Sequence, residues 1–377
     1  MSTGYAVWVA VLAGSMALGV YGSEAPEAPK RFVYGWFPKN MKDWSTQALD
    51  WPAITHLCFR SVVVQPDGTI KIGGACSPEQ IRALRKESKE HGVKLCVLVW
   101  GTNKANSDAY LARHTGVFAE QIAAFVKEYE LDGVNLDDET WHEKNSVTGE
   151  SNREAVTALF KQTREQLDKI RPGLHLSYAS PPVISAEDKF GQAWMDYRAI
   201  AAQIDHFTIM SYCMTPPTIG WTGSAQAVRG GGKVGEHPRD YATLMEDYLK
   251  ATGGAKEKLM LGIDLGRGGT EWTAAGPGRG ASIVGKPRAL SAAEARANAE
   301  KHGRKFDPEQ QAPYYEYRDG EHWIQGWYED EESFAAKLKL ARDLQLPGVC
   351  LWVLDGVAEP ESTWKGLKHY LTPMAAK

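Results

Sequence analysis

A chain of 377 residues suits either a single barrel domain with insertions or two ordinary domains. Its hydrophobic content of 43% is that of an ordinary globular protein, and a net charge of −4 with scattered basic residues argues against a nucleic-acid partner. The five cysteines are odd in number and lack a Cys-x-x-Cys spacing, which argues against a disulfide scaffold or a zinc site and leaves one disulfide open, with no partners assigned.

Tyr5 to Tyr21 is almost wholly apolar and runs into Gly22-Ser23 and Glu24-Ala25-Pro26-Glu27. This predicts a secretory signal over residues 1–22, or an uncleaved N-terminal anchor since no Lys or Arg precedes the run, followed by a linker over 23–30. The folded part is expected to be exported, secreted or periplasmic and in the anchored case tethered to a membrane. From Arg31 strand and helix patterns alternate. Strands are predicted at Phe32–Trp36, Ile54–Phe59, Lys94–Val99, within Leu131–Thr140, and at Leu174–Ala179, His206–Tyr212, Lys258–Ile263 and Gly348–Val353. Ser77 caps a helix that begins at Pro78, and further helices are expected over Val117–Glu130 and Arg153–Ile170. Eight strands with helices between most of them give an α/β chain, a (β/α)8 TIM barrel over residues 31–370. Two connections are long. Pro216 to Pro238, with Gly230-Gly231-Gly232, reads as a mobile loop over the mouth, and about 268–326 reads as an insertion between strands 7 and 8 that ends in a hairpin.

The informative stretch is Leu131-Asp132-Gly133-Val134-Asn135-Leu136-Asp137-Asp138-Glu139-Thr140. Apolar and polar residues alternate with the period of a strand, so Asn135, Asp137 and Glu139 share one face, where buried polar groups are costly unless used. Trp141-His142-Glu143 lacks the second His of a zinc-protease helix, and the glycine-rich runs near Gly278 and Gly285 lack the ending of a phosphate loop. No metal or other cofactor is expected.

The run Asp132-Gly133-Val134-Asn135-Leu136-Asp137-Asp138-Glu139 resembles the Asp-Gly-x-Asp-x-Asp-x-Glu signature of glycoside hydrolase family 18, the chitinase family, with Asn135 in place of the first inner Asp, as in di-N-acetylchitobiase-like members. The likeness extends from Phe32 to Gly356 and includes Thr55-His56, Met210-Ser211-Tyr212 and Leu351-Trp352. It departs at Cys213, where the family has Asp, at Val99 or its neighbour, where it has Ser, and at Leu265, where an aromatic residue is usual.

The resemblance implies a retaining hydrolase of β-1,4-linked N-acetylglucosamine, acting on chitin oligomers or chitobiose. Glu139 would be the general acid, and the acetamido group of the substrate the nucleophile, oriented by Asp137 and Tyr212. Trp352 would form the floor under the sugar, with Tyr34 and Trp36 as wall candidates; Asn135 and Cys213 complete the substrate-side set together with Met210, which reads better as packing below the site. Asn135 is expected to hydrogen-bond Asp137 and keep it ionised over a wide pH range, so that its charge holds the proton on Glu139. Two alternatives stay open: an endo-β-N-acetylglucosaminidase acting on N-glycan cores, and a non-hydrolytic sugar-binding lectin on the same barrel.

Overall fold

The computed structural model describes residues 31–372, apart from 39, 41, 74–75, 183, 186–191, 213, 215–219, 235–236 and 267. The signal and linker segments and the Cys213 position therefore lie outside the described residues. Eight parallel strands form the barrel: β1 (Phe32–Phe37), β2 (His56–Val64), β3 (Lys94–Trp100), β4 (Gly133–Asp137), β5 (His175–Ser180), β6 (His206–Ile209), β7 (Leu259–Asp264) and β8 (Gly348–Trp352). Each pairs with its neighbour in sequence, and β1 pairs with both β2 and β8, which closes the sheet and removes its edges. Alternation sorts the side chains. Val97, Val134, Leu176, Phe207, Leu261 and Val349 face the surrounding helices, while Tyr34, Trp36, Cys58, Cys96, Leu98, Met260 and Cys350 fill the interior. The helix Pro78–Glu90 starts at Ser77, which accepts from the Gln80 amide while the Gln80 side chain accepts from the Ser77 amide. Gly133 opens β4 because a Cβ there would lie 2.2 Å from the His175 carbonyl oxygen, so no other residue lets β4 and β5 approach this closely.

Between β7 and β8 the chain forms a five-stranded antiparallel sheet in the order Arg288–Leu290, Gly269–Ala274, His322–Tyr328, Ala312–Asp319, Lys305–Asp307, with the helix Ala292–His302 packed on it. Tyr314 and Trp327 stack across the hairpin at 4.4 Å. The return leg is tied down by Lys337, fully buried, which donates to the Glu329 carboxylate at 2.5 Å. The described part of the long loop before β7 is not free over the mouth. Thr222 donates through its amide to Ala281 and through its hydroxyl to Gly278, and Gln310 bridges the Ser224 amide and the Gly230 carbonyl.

The lower interior holds three histidines at the starts of β2, β5 and β6. The His56 and His175 rings lie 5.1 Å apart, those of His175 and His206 5.2 Å, and Nε2 of His175 meets Nδ1 of His206 at 2.8 Å. Burial lowers all three pKa values, to about 4 for His56 and about 3 for His206, so the cluster is neutral in the folded protein. Below about pH 6.5 the unfolded chain takes up protons that the folded chain refuses. The stability of the neutral cluster is thus fully present above that pH and is lost as pH falls toward 4 and 3. We expect unfolding free energy from denaturant titration to drop between pH 6.5 and 4.5, and His56→Gln to flatten that drop. An identical pH slope in the variant would contradict the assignment.

Candidate active site

β4 and the turn after it deliver three polar residues to different environments. Asn135 is wholly buried in the interior, Asp137 is half-buried at the end of the strand, and Glu139 stands exposed in the turn that follows. Asp138, between them, faces outward and fixes that turn. One carboxylate oxygen accepts from the Ser107 hydroxyl and from Tyr110 OH at 2.8 Å; the other accepts from the Thr140 amide at 2.9 Å and its hydroxyl at 2.6 Å. Gly101 leaves room for this carboxylate, since a Cβ there would come within 2.1 Å of it. Glu139 is thus carried on a turn that the Asp138 side chain ties to the neighbouring helix, Lys104–Arg113.

The expected bond from Asn135 to Asp137 is absent. The Asn135 carbonyl oxygen accepts from Trp36 Nε1 at 3.2 Å, and its amide donates to the Ser177 and Thr208 hydroxyls at 2.8 and 2.9 Å. Those hydroxyls already donate to the Val134 and Tyr178 carbonyls, so they turn lone pairs toward residue 135 and require two donors there. Asn supplies them, whereas a carboxylate supplies none.

Asp137 Oδ1 is buried and has no hydrogen-bond partner among the described residues. Burial, then the Glu139 charge beside it, push the Asp137 carboxyl well above the usual carboxylate range, with Arg60 pulling it back. This corrects the expectation of an Asp137 ionised over a wide range: the pair holds protons more tightly than either acid would alone. Glu139 is raised as well, by partial loss of water around its carboxyl and by Asp138, again opposed by Arg60. At a given pH near neutrality, more of this acid therefore keeps its proton than an ordinary Glu would.

The aromatic candidates divide by depth. Tyr34 and Trp36 are each 1% exposed, so they are floor beneath the site rather than wall beside a sugar, and Trp36 lies edge-on to Trp352 with ring centres 5.9 Å apart. Trp352 is half-buried at the end of β8, Met210 is half-buried beyond β6, and Tyr212 is buried in the same interior cluster. Val99 and Leu265 both face the outer core. Sequence reasoning missed Trp100, which ends β3 in register with Asp137, and Arg60 on β2, whose guanidinium lies over the Trp352 and Trp100 rings. The signal for Arg60 was present as a charge inside the run Leu57-Cys58-Phe59-Arg60-Ser61-Val62. Cys58, Cys96 and Cys350 are buried free thiols and Cys76 is a half-buried one. Among the described residues no cluster of His, Cys, Asp or Glu is arranged to hold a metal ion.

A closed (β/α)8 barrel with two neighbouring carboxyl groups at the C-terminal ends of its strands is an arrangement that glycosidases use. The chain belongs to glycosyl hydrolases family 18, whose sequence model matches residues 32–356. It is 26% identical to human di-N-acetylchitobiase over 265 residues, 64% of each chain, and 29% identical to the cortical fragment-lytic enzyme of Bacillus subtilis over 218 residues, 56% of this chain and 44% of that one. It therefore spans less than two thirds of the length of these relatives. A plant class V chitinase mutant from Cycas revoluta in complex with (GlcNAc)3 has the same fold, with a TM-score of 0.71 at 20% identity over 90% of this chain and 100% of that one.

The Asn135 network gives a prediction. Asn135→Asp, which restores the residue common in the family, places lone pairs against lone pairs and forces Ser177 and Thr208 to give up their carbonyl bonds. We expect a loss of about 2–4 kcal/mol in unfolding free energy. An unchanged denaturation midpoint would show that the hydroxyls reorient freely.

Proposed function

We propose that the protein is a retaining hydrolase of β-1,4-linked N-acetylglucosamine, acting on chitin oligomers or chitobiose with the substrate's own acetamido group as nucleophile. The observation that carries this reading is the buried Asp137 Oδ1 beside Glu139, which has no hydrogen-bond partner among the described residues. A carboxylate oxygen so placed gains from an N–H donor, and the 2-acetamido group of the substrate supplies one. In the reaction Glu139 protonates the leaving glycosidic oxygen. Asp137 orients and stabilises the acetamido N–H as its carbonyl oxygen attacks the anomeric carbon, and Tyr212 donates to that oxygen. Water then opens the oxazolinium, with Glu139 as base, and the configuration is retained. The half-buried Trp352 offers an aromatic surface to the sugar. The name of the human relative and the (GlcNAc)3 bound in the Cycas revoluta chitinase complex support N-acetylglucosamine as the sugar recognised. We also infer from Tyr5 to Tyr21 that the chain is exported, which N-terminal sequencing of the mature protein would test by finding a start near Gly22 or an intact leader.

Glu139→Gln keeps the shape of the acid and removes its proton. Hydrolysis of a chitin oligomer should fall by about 10² to 10⁴ while oligosaccharide binding persists. Incubation with chitin oligomers and with an N-glycoprotein, side by side, identifies the substrate from the products. Cleavage of the glycoprotein alone would favour an endo-β-N-acetylglucosaminidase, and binding of either without cleavage by the wild type would favour a lectin. The acetamido route further requires that a deacetylated sugar at the cleavage position resist hydrolysis and that a thiazoline mimic of the intermediate inhibit. Efficient cleavage of glucose-only β-1,4 chains would sink it.

A further inference from the structure

Arg60 is held at the mouth from several directions. Its guanidinium carbon lies 4.7 Å from the centre of the Trp352 ring and 5.4 Å from that of Trp100, so side chains from β8 and β3 offer it their faces. Its Nη1 donates to the Pro38 carbonyl oxygen at 3.3 Å. Arginine suits this setting because its planar, delocalised charge stacks on aromatic rings and stays protonated where an ammonium would lose water at greater cost. The long side chain is thereby kept above the interior instead of sweeping through solvent.

The groups facing it come from three other elements. Asp137 ends β4 and Glu139 stands in the turn after it; Tyr212 follows β6 and Asp355 follows β8, and each of these four helps to hold the charge on Arg60 against its burial. Asp138 is turned outward to Ser107, Tyr110 and Thr140, with both oxygens engaged. The carboxyls of Asp137 and Glu139 are in turn drawn down by Arg60 against burial and their neighbouring acids. The influence is mutual, and it acts on the two groups on which the proposed chemistry depends.

We propose that Arg60 is a positioning residue: held by Trp100 and Trp352, its guanidinium sets the charge balance at the mouth so that the Asp137–Glu139 pair carries one proton rather than two when substrate binds. This rests on the reading of Glu139 as the acid. An acid pair without a nearby cation would hold a second proton to higher pH, leaving Asp137 neutral and unable to stabilise an acetamido N–H as it acquires positive charge. With the cation in place the pair gives up the first of its two protons more readily, and the charge left on one carboxyl makes the other keep the remaining proton. Arg60 thus acts through the carboxyls rather than on the sugar.

The test compares Arg60→Met, which keeps an unbranched stem against the rings without the charge, with Arg60→Lys, which keeps the charge without the planar stack. Carboxyl titrations of Asp137 and Glu139 are followed by ¹³C NMR in the free protein, and the pH profile of kcat/KM is measured on an N-acetylglucosamine oligomer. Loss of an opposite charge at close range should raise both carboxyl midpoints in Arg60→Met by about one unit or more, and move the acidic limb of kcat/KM upward with them. Arg60→Lys should restore most of the shift. If Arg60→Met lowers activity while the titrations stay in place, Arg60 is a packing or substrate contact and the proposal is overturned. Equal shifts in the Met and Lys variants would overturn it too, because charge would not be the cause. Displaced titrations in a protein that cleaves no N-acetylglucosamine oligomer would leave the charge balance standing and remove the proposed reaction instead.

Discussion

The mouth of the barrel is governed by the cost of keeping a carboxyl where water does not reach one of its oxygens. An ionised carboxylate in that position loses several kcal/mol of hydration unless a cation or hydrogen-bond donors replace it. Asp137 meets this constraint only in part. Its Oδ1 has no partner among the described residues, and Glu139 lies close enough to disfavour its charge, while Arg60 favours it. The same constraint passes to Glu139, since the affinity of one acid for its proton depends on the state of the other. A group left short of a partner in the folded protein gains most from a ligand that supplies one, so the least satisfied atom of the site is also the one best prepared to discriminate.

Below that level the interior is polar but carries no charge. The histidines at the starts of β2, β5 and β6 are neutral, with His175 and His206 sharing a hydrogen bond and His56 bonded to the Thr55 hydroxyl, and above them Asn135 joins Trp36, Ser177 and Thr208. A dry barrel accommodates dipoles that complete each other's hydrogen bonds far more cheaply than an isolated charge. This ordering accounts for Asn at 135: it lies one strand period below Asp137, its neighbours offer two acceptors and one indole donor, and an amide is the side chain that matches both. Charge is confined to the rim, where Arg60 and partial solvent access offset its cost.

The barrel was legible because its cause is local and repeated. Apolar strands separated by capped helices predict eight parallel strands with boundaries within a few residues, and Ser77 with Gln80 names a helix start outright. That Asn135 and Asp137 share the inner face at the end of β4 was legible because polar residues at every second position of a strand have few structural uses. What could not be read was direction across the barrel. Tyr34 and Trp36 lie on the inner face, but depth along the axis, which makes them floor rather than wall, follows from strand tilt and stagger that sequence does not display. Asn135 was misassigned because the groups that claim it lie on β1, β5 and β6, far apart in the chain, whereas Asp137 is its neighbour in sequence. Arg60 escaped for a related reason: its partners Trp100 and Trp352 belong to strands at distant points in the sequence.

The three acids at 137, 138 and 139 then show how a site is made stiff without regular structure. Asp137 faces the interior by strand alternation, Asp138 faces the helix Lys104–Arg113, and Glu139 rises to the mouth because its neighbour is bonded outward. The chain after Glu139 returns to that same helix. Asp108, fully buried, accepts from the Ser146 amide and hydroxyl at 2.8 and 2.6 Å, from Asn152 at 3.1 Å, and from Lys104. Burial raises its carboxyl, but Lys104 and Ser146 outweigh that and bring it down to about 2, so the anchor stays ionised across the neutral range. Both sides of the Glu139 turn are thus fastened to one helix that packs outside the barrel and takes no part in the proposed chemistry. An acid that must meet a glycosidic oxygen loses effectiveness with small displacements, and fixed donors and acids in place before substrate arrives need no reorganisation when the bond breaks. The charges around Glu139 set when it holds its proton, and the outward bonds of Asp138 and Asp108 set where it holds it.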